Sequence, residues 1–290
     1  MSSIKHTFRR SLVLAAIGLA GAGSALAGTA GGCATTSNGF TPDRVVYGLT
    51  QAQALVSFHT CTPGKEHKLG AIAGLQGADS ELVGIDFRVQ DGLLYGVGNG
   101  GGVYTIDLHS AVATKASQLT TALSGTHFGV NFNPAANALR IVSDNGQNLR
   151  HPFINPEPRT TLVDPSLNYV AGTAASGVAA IAYTNNDLDA TTGTFLFDID
   201  AALDQLVIQA PANNGSLVVA GKLGIDIDAA VGFDIYSHLA DGKALTNTAF
   251  ASFSVAGAPG FYRINLLTGR PVSLGALAEP LLGFSVALDQ

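Results

Sequence analysis

The stretch Leu82–Leu108, LVGIDFRVQDGLLYGVGNGGGVYTIDL, reads as three short strands joined by two turns. Runs of Leu, Val, Ile, Phe and Tyr alternate with Asp-Gly and Asn-Gly pairs, the turn chemistry of an antiparallel meander. Its opening quartet, Gly84-Ile-Asp-Phe87, returns as Gly129-Val-Asn-Phe132, Ala180-Ile-Ala-Tyr183, Gly232-Phe-Asp-Ile235 and Gly283-Phe-Ser-Val286. The copies stand 45–52 residues apart. A period of that length built only from short strands suits a propeller blade of four strands. A sandwich gives no reason for five like quartets, and a solenoid repeat is usually half as long.

Working outward, the first strands are read as Val45–Thr50, Ala54–Thr60 and His67–Ile72, with a further one near Ala113–Leu119. Tyr104-Thr-Ile-Asp107, Phe197-Asp-Ile-Asp200 and Tyr262-Arg-Ile-Asn265 repeat too. An Asp or Asn at a strand exit accepts N–H groups of the next turn, so all three are expected at the corner between third and fourth strands. Residues 45–72 hold three strands and no quartet, whereas 281–288 holds a quartet and nothing after it. Joining them predicts an all-β, five-bladed propeller of four-stranded antiparallel blades, closed by the C-terminal strand entering the first blade. Closure removes free sheet edges.

Composition agrees. Of 290 residues 47% are hydrophobic and 12% charged, enough for a large core and against disorder. Thirty-five glycines and 11 prolines leave little room for long helices, and the absence of Trp excludes a Trp-Asp repeat. Residues 1–27 form a signal peptide: Lys5, Arg9 and Arg10 precede an apolar run and Ala25-Leu26-Ala27, so cleavage before Gly28 is expected. Ser11-Leu12-Val13 fits a twin-arginine signal poorly, and Ala30-Gly31-Gly32 lacks the aliphatic residue that a lipid anchor on Cys33 requires. No later run is long enough to span a bilayer. The expectation is an exported, periplasmic or secreted protein, with 28–43 a flexible lead-in and 44–290 one propeller domain.

The formal charge of −6 becomes three units more negative on losing the leader, which disfavours nucleic acid and anionic lipid as partners. A monomer is expected. Cys33 and Cys61, the only cysteines, are expected to form one disulfide. Closing a loop of about 30 residues contributes roughly 3–4 kcal/mol in the chain-entropy picture.

Ser143-Asp-Asn-Gly-Gln-Asn-Leu-Arg150, Phe128-Gly-Val-Asn-Phe-Asn-Pro134, Ala182-Tyr-Thr-Asn-Asn186 and Gly232-Phe-Asp-Ile235 together resemble the bacterial domain-of-unknown-function 4394 family. The likeness runs from about Val46 to Leu288. It implies an exported, propeller-like bacterial protein and brings no activity and no catalytic residues.

Two constellations carry the functional expectations. The third quartet position reads Asp86, Asn131, Ala182, Asp234 and Ser285. On innermost strands these side chains share one level, where each either bonds the backbone of a neighbouring blade or, through Asp86, Asn131 and Asp234, holds a hard cation such as Ca²⁺. The second comprises amide-rich loops: Asp144, Asn145, Gln147, Asn148 and Arg150, then Asn185 and Asn186 one blade on, beside Asp187 and Asp189. On one mouth of the ring they could bond sugar hydroxyls, with Arg150 meeting a carboxylate. Bare turn chemistry is the competing account. Gly96–Gly102 lies between strands, so it is no dinucleotide fingerprint. His127 and His151 are the acid–base candidates, and Asp86, Asp144, Asp187 and Asp234 the carboxylates from which a glycosidase pair could be drawn. The function expected first is a non-catalytic propeller that binds a small ligand, glycan or protein partner on one mouth, without a cofactor. A Ca²⁺-assisted hydrolase or lyase and a structural or adhesive repeat protein are the alternatives.

Overall fold

Five four-stranded antiparallel sheets stand in a ring. The computed structural model describes residues 32–36, 39–154 and 156–289; the expected signal peptide lies outside them. A ribbon of β1 (Gly32–Thr36) and β2 (Gly39–Pro42) precedes the blades. Blade one holds β3 (Val45–Thr50), β4 (Ala54–His59) and β5 (Thr62–Ala71). Blade two runs β6 (Leu82–Arg88), β7 (Leu93–Gly98), β8 (Gly102–Ile106) and β9 (Ala113–Gln118). Blade three follows with β10 (Phe128–Asn133), β11 (Ala138–Ser143), β12 (Asn148–Pro152) and a short β13 (Leu162–Val163). Blade four is β14 (Val178–Tyr183), β15 (Leu196–Asp200), β16 (Gln205–Gln209) and β17 (Leu217–Lys222). Blade five comprises β18 (Gly232–Ala240), β19 (Lys243–Val255), β20 (Ala258–Ile264) and β21 (Pro271–Ala276). The final strand, β22 (Leu281–Val286), is the inner strand of blade one and pairs with β3 through Phe284↔Gly48 and Val286↔Val46. The expected closure and count are what the chain adopts.

The quartets are the five inner strands, and their first residue is small because the next blade sits against it. A Cβ on Gly84 would lie 2.6 Å from Val130 Cγ2, and one on Gly129 would lie 2.8 Å from the backbone N of Ile181. Side chains at the second and fourth positions enter the seams between blades. The buried core is accordingly divided into five clusters, one per pair of neighbours. The seam between blades five and one is aromatic: Phe261 packs on Phe58, Phe250 and Phe284 with ring centroids 5.1–5.6 Å apart.

Two expectations need correction. Residues 32–42, read as lead-in without regular structure, contain the β1–β2 ribbon, with Cys33 paired to Thr41 in register. The ribbon is held by the expected disulfide from Cys33 to Cys61 on the β4–β5 turn, and the Thr60 hydroxyl donates to Pro42 O at 2.6 Å. Asp107 and Asn265 do cap corners between third and fourth strands, accepting N–H groups of His109 and Ser110 and of Leu267 and Thr268. Asp200 instead ends β15, the second strand of its blade, and accepts the Leu203 N–H at 3.0 Å. The long connection over 184–195 places β15 where the other blades have their third strand. Among the described residues no helix is long and apolar enough to cross a membrane.

Candidate functional site at the ring axis and its mouths

The third quartet residues face one another on the axis, each at most 4% exposed. Each polar one reaches forward to the fourth residue of the next blade. The Phe132 N–H donates to Asp86 Oδ2 at 2.7 Å, Tyr183 N–H to Asn131 Oδ1 at 2.9 Å, Val286 N–H to Asp234 Oδ2 at 2.7 Å, and Phe87 N–H to Ser285 Oγ at 3.2 Å. The pattern skips one step. Ala182 has no acceptor, so Ile235 N–H turns to Asp234 Oδ1 of its own strand at 2.8 Å. Four side chains thus clasp the ring through backbone amides that would otherwise be unpaired.

The clasp carries an electrostatic cost. Ser285 Oγ lies 2.8 Å from Asp86 Oδ1 and 3.1 Å from Asp234 Oδ2. One hydroxyl proton cannot be donated to two carboxylates at once. Burial, with Asp234 beside it, pushes Asp86 well above the usual carboxylate range, and burial lifts Asp234 to about 6. A proton on one carboxyl group completes the count, since that group can donate to Ser285 while Ser285 donates to the other. Asp86, Asn131 and Asp234, the candidate cation ligands, are therefore together, but their oxygens already accept protein donors. Among the described residues no group of three or more His, Cys, Asp or Glu side chains is placed to hold a metal.

Below the clasp the channel narrows between the first quartet residues. It opens at the entrance mouth into a hollow of about 130 Å³ lined by Gln51, Glu81, His127 and the ends of the inner strands. Beyond the clasp the exit mouth holds a larger hollow of about 440 Å³. The loops that follow the inner strands of blades two, four, five and one build it, contributing Gln90, Asn186, Asp187, Leu188, Leu239 and Asp289. Leu188 is 65% exposed there. Asp187 is buried, accepting Ala244 N–H at 2.8 Å and Asp189 N–H at 2.9 Å. Asp289 accepts from Leu239 N–H at 2.9 Å and contacts His238 at 2.7 Å; burial opposes its charge, yet these partners hold it below the usual range.

The two amide-rich clusters lie on opposite mouths. Asp144, Asn145 and Gln147 form the β11–β12 turn at the entrance, where their side chains bind the incoming loop. Thr126 N–H donates to Asp144 at 2.9 Å, Asn145 donates to Ser124 at 2.7 Å, and Gln147 spans Ser124 N–H and Ala122 O. Asn148 and Arg150 point into the seam between blades three and four. There Arg150 forms a two-pronged pair with Asp164 at 3.1 and 3.2 Å. Arg140, 1% exposed, donates to Tyr183, Asn148, Asp164 and Asn213 in the same seam. Asp198 is fully buried nearby with neither oxygen hydrogen-bonded. Asn185 and Asn186 sit at the exit mouth. Asn185 exchanges two hydrogen bonds with Asn247, at 3.0 and 2.7 Å, and Asn186 donates to Ile235 O at 3.0 Å. Of the seven expected ligand contacts, only Asn186 lines the larger hollow. Asp187, a candidate carboxylate, lines it too, whereas Gln90, Leu188, Leu239 and Asp289 carry no signal of their own in the sequence; all lie within a few residues after a quartet, so extending the alignment past its fourth column gathers them.

The histidines separate as well. His127 lines the entrance hollow, whereas His151 is buried between blades two and three, with Nε2 2.8 Å from Ser117 Oγ and Nδ1 3.1 Å from Thr161 Oγ1. Burial holds it below the usual histidine range, so it is neutral at pH 7.

No curated protein matches the chain. Among solved structures it is similar to a protein of unknown function from Bacteroides thetaiotaomicron (12% identity, TM-score 0.48, covering 84% of this chain and 66% of that one). It is also similar to TolB from Acinetobacter baumannii (13%, 0.42, 85% and 67%) and glutaminyl cyclase from Myxococcus xanthus (12%, 0.36, 71% and 70%). A family model, the domain of unknown function DUF4394, matches residues 54–285, from the start of β4 to the clasp serine, and the chain belongs to that family.

Proposed function

We propose that the protein is an exported, non-catalytic propeller that binds a small ligand or glycan in the exit-mouth hollow. The observation that carries this is convergence: four separate blades place a loop on one concavity at the axis. Its volume falls within the range of small-molecule sites, about 300–1,000 Å³. The lining pairs amide and carboxylate groups of Gln90, Asn186 and Asp187 with the apolar faces of Leu188 and Leu239, the combination that holds a sugar ring or similar body by its polar edge and flat face. Asp86, Asn131 and Asp234 lock the ring in this reading.

A glycan and metabolite array on the mature protein tests it, with Leu188→Arg as the probe, because that side chain is mostly exposed. A ligand that binds the wild type and loses at least tenfold affinity in the variant, at unchanged melting temperature, is the expected result. Equal binding by both proteins removes the hollow from the site. A saturable Ca²⁺-induced rise in melting temperature that Asp234→Asn abolishes would replace this reading with the axial cation.

A further inference from the structure

A second concavity lies off the axis, at the exit end of blade five, and its chemistry is opposite to that of the central hollow. The β18–β19 hairpin is longer than the sheet beneath it. β19 pairs with β18 as far as Ala240↔Lys243, but β20 reaches β19 only at Ala249↔Ile264. Residues 243–248 therefore overhang, and Asn247 and Thr248 wall a cleft of about 740 Å³ whose floor is the 265–271 turn. Asn265 fixes that turn: its Oδ1 accepts N–H groups of Leu267 and Thr268 at 2.9 and 3.1 Å, leaving its NH₂ as the remaining donor. Arg263 and Arg270 both line the cleft, and no carboxylate does among the described residues. Arg270 is exposed, and among the described residues its guanidinium has no ion pair. The chain has 21 acidic residues against 15 Lys and Arg, so a cleft lined by two arginines, with Arg270 exposed, runs against the molecule's field. Ile264, Leu266, Pro271 and Val272 supply an apolar wall beside them.

The geometry points to an anion-recognition site on blade five, separate from the axial hollow. It takes a carboxylate, sulfate or phosphate group attached to a body with an apolar face. Guanidiniums suit such groups because their planar N–H forks meet two oxygens at once. An acidic saccharide fits both parts of the cleft, and a free inorganic anion fits the cationic part alone.

Calorimetric titration of the mature protein with a uronic acid trisaccharide, its neutral methyl ester and inorganic phosphate tests the assignment, at constant ionic strength. The expected result is that the uronate binds and that Arg270→Gln weakens it at least tenfold. Arg263→Gln should weaken it similarly. Lys65→Gln, which removes an exposed cation from blade one, should leave it unchanged. Phosphate binding that Arg270→Gln abolishes, without uronate binding, supports the cationic site with a free anion as its occupant. Equal affinity for the neutral ester overturns the proposal, as does the absence of any anion binding or binding that persists in both arginine variants. If Leu188→Arg removes anion binding while Arg270→Gln does not, the anion sits at the axial hollow, and the blade-five assignment falls while the mouth reading stands.

Discussion

The seam between blades five and one and the seam between blades three and four close the same ring by opposite chemistry. The first is a stack of phenylalanines, and any apolar group of suitable shape could contribute to it. The second buries Arg140 among Tyr183, Asn148, Asp164 and Asn213, donors and acceptors drawn from segments up to 73 residues apart. Apolar packing tolerates imperfect partners at modest cost, whereas a buried guanidinium demands nearly all of its acceptors together. The difference teaches that the aromatic seam supplies adhesion, while the polar seam also selects which neighbour a blade accepts.

Breaking the polar seam should have the largest effect. Arg140→Ala takes the guanidinium from Tyr183, Asn148 and Asn213, leaves Asp164 to Arg150 alone and opens a cavity in the seam, and stability should fall by about 3–5 kcal/mol in urea unfolding. A loss below about 1 kcal/mol would mean that the network contributes no net stabilisation. On the aromatic side, Phe261→Ala removes the ring that touches three others and should cost about 3–4 kcal/mol. Phe261→Leu should recover over half of that, because shape rather than a specific partner is lost; Arg140→Lys should recover little, because an ammonium cannot serve four partners in a plane. Comparable recovery on both sides would erase the distinction between the seams.

The axial clasp sharpens the contrast, because its carboxylates serve the seams on either side of blade one and blade two, whereas the polar seam is clasped by neutral Asn131. Asp86→Asn keeps an acceptor for Phe132 N–H, supplies a donor to Ser285, and removes one of two crowded charges. At pH 7 it should raise stability by about 1–2 kcal/mol, roughly 3–6 °C in melting temperature. The sign of the pH effect follows from raised folded-state pKa values. The folded protein holds a proton that the unfolded chain has already released, so stability from the pair is fully present below about pH 4 and declines as pH rises through about 6, where Asp234 titrates, and on until Asp86, raised well above the carboxylate range, releases its proton. The stability gap between Asp86→Asn and wild type should therefore narrow at pH 5, as followed by thermal unfolding. A gap independent of pH would show that the pair is not where the proton resides. The smallest effect is expected from Asp198→Asn. Burial raises Asp198 well above the carboxylate range against the pull of Arg140; the amide removes the cost of holding a proton there at pH 7 but buries an NH₂ group where neither oxygen has a partner, so the two effects offset and stability should change by less than about 1 kcal/mol.

The ring was legible in the chain because its physics repeats. Each inner strand needs a small residue where the next blade approaches, an apolar residue in each seam and an acceptor for the neighbouring amide, so Gly84-Ile-Asp-Phe87 and its copies betray the period. The polar seam was illegible for the converse reason. Arg140, Asp164 and Asn213 sit on different strands and loops, belong to no repeat, and look like ordinary surface residues until blades three and four meet. The amide-rich 144–150 run drew notice through density alone, yet Asn145 and Gln147 use their amides on the loop over 119–127, as turn residues do. Gln90, Leu188 and Asp289 escaped because a mouth is assembled from single residues of several blades. No local window contains more than one or two of them.

The pairing of β22 with β3 also sets a schedule. A ribosome delivers the chain from its N-terminus, so Val46 waits for Val286 through the emergence of the four intervening blades. Until the last strand arrives, blade one lacks its inner strand, two seams stand open to water, and the Asp86–Ser285–Asp234 bridge has no central member. Commitment to the native ring is thus deferred until Leu281–Val286 is in place, because only that strand closes both seams of blade one and supplies the bridging serine.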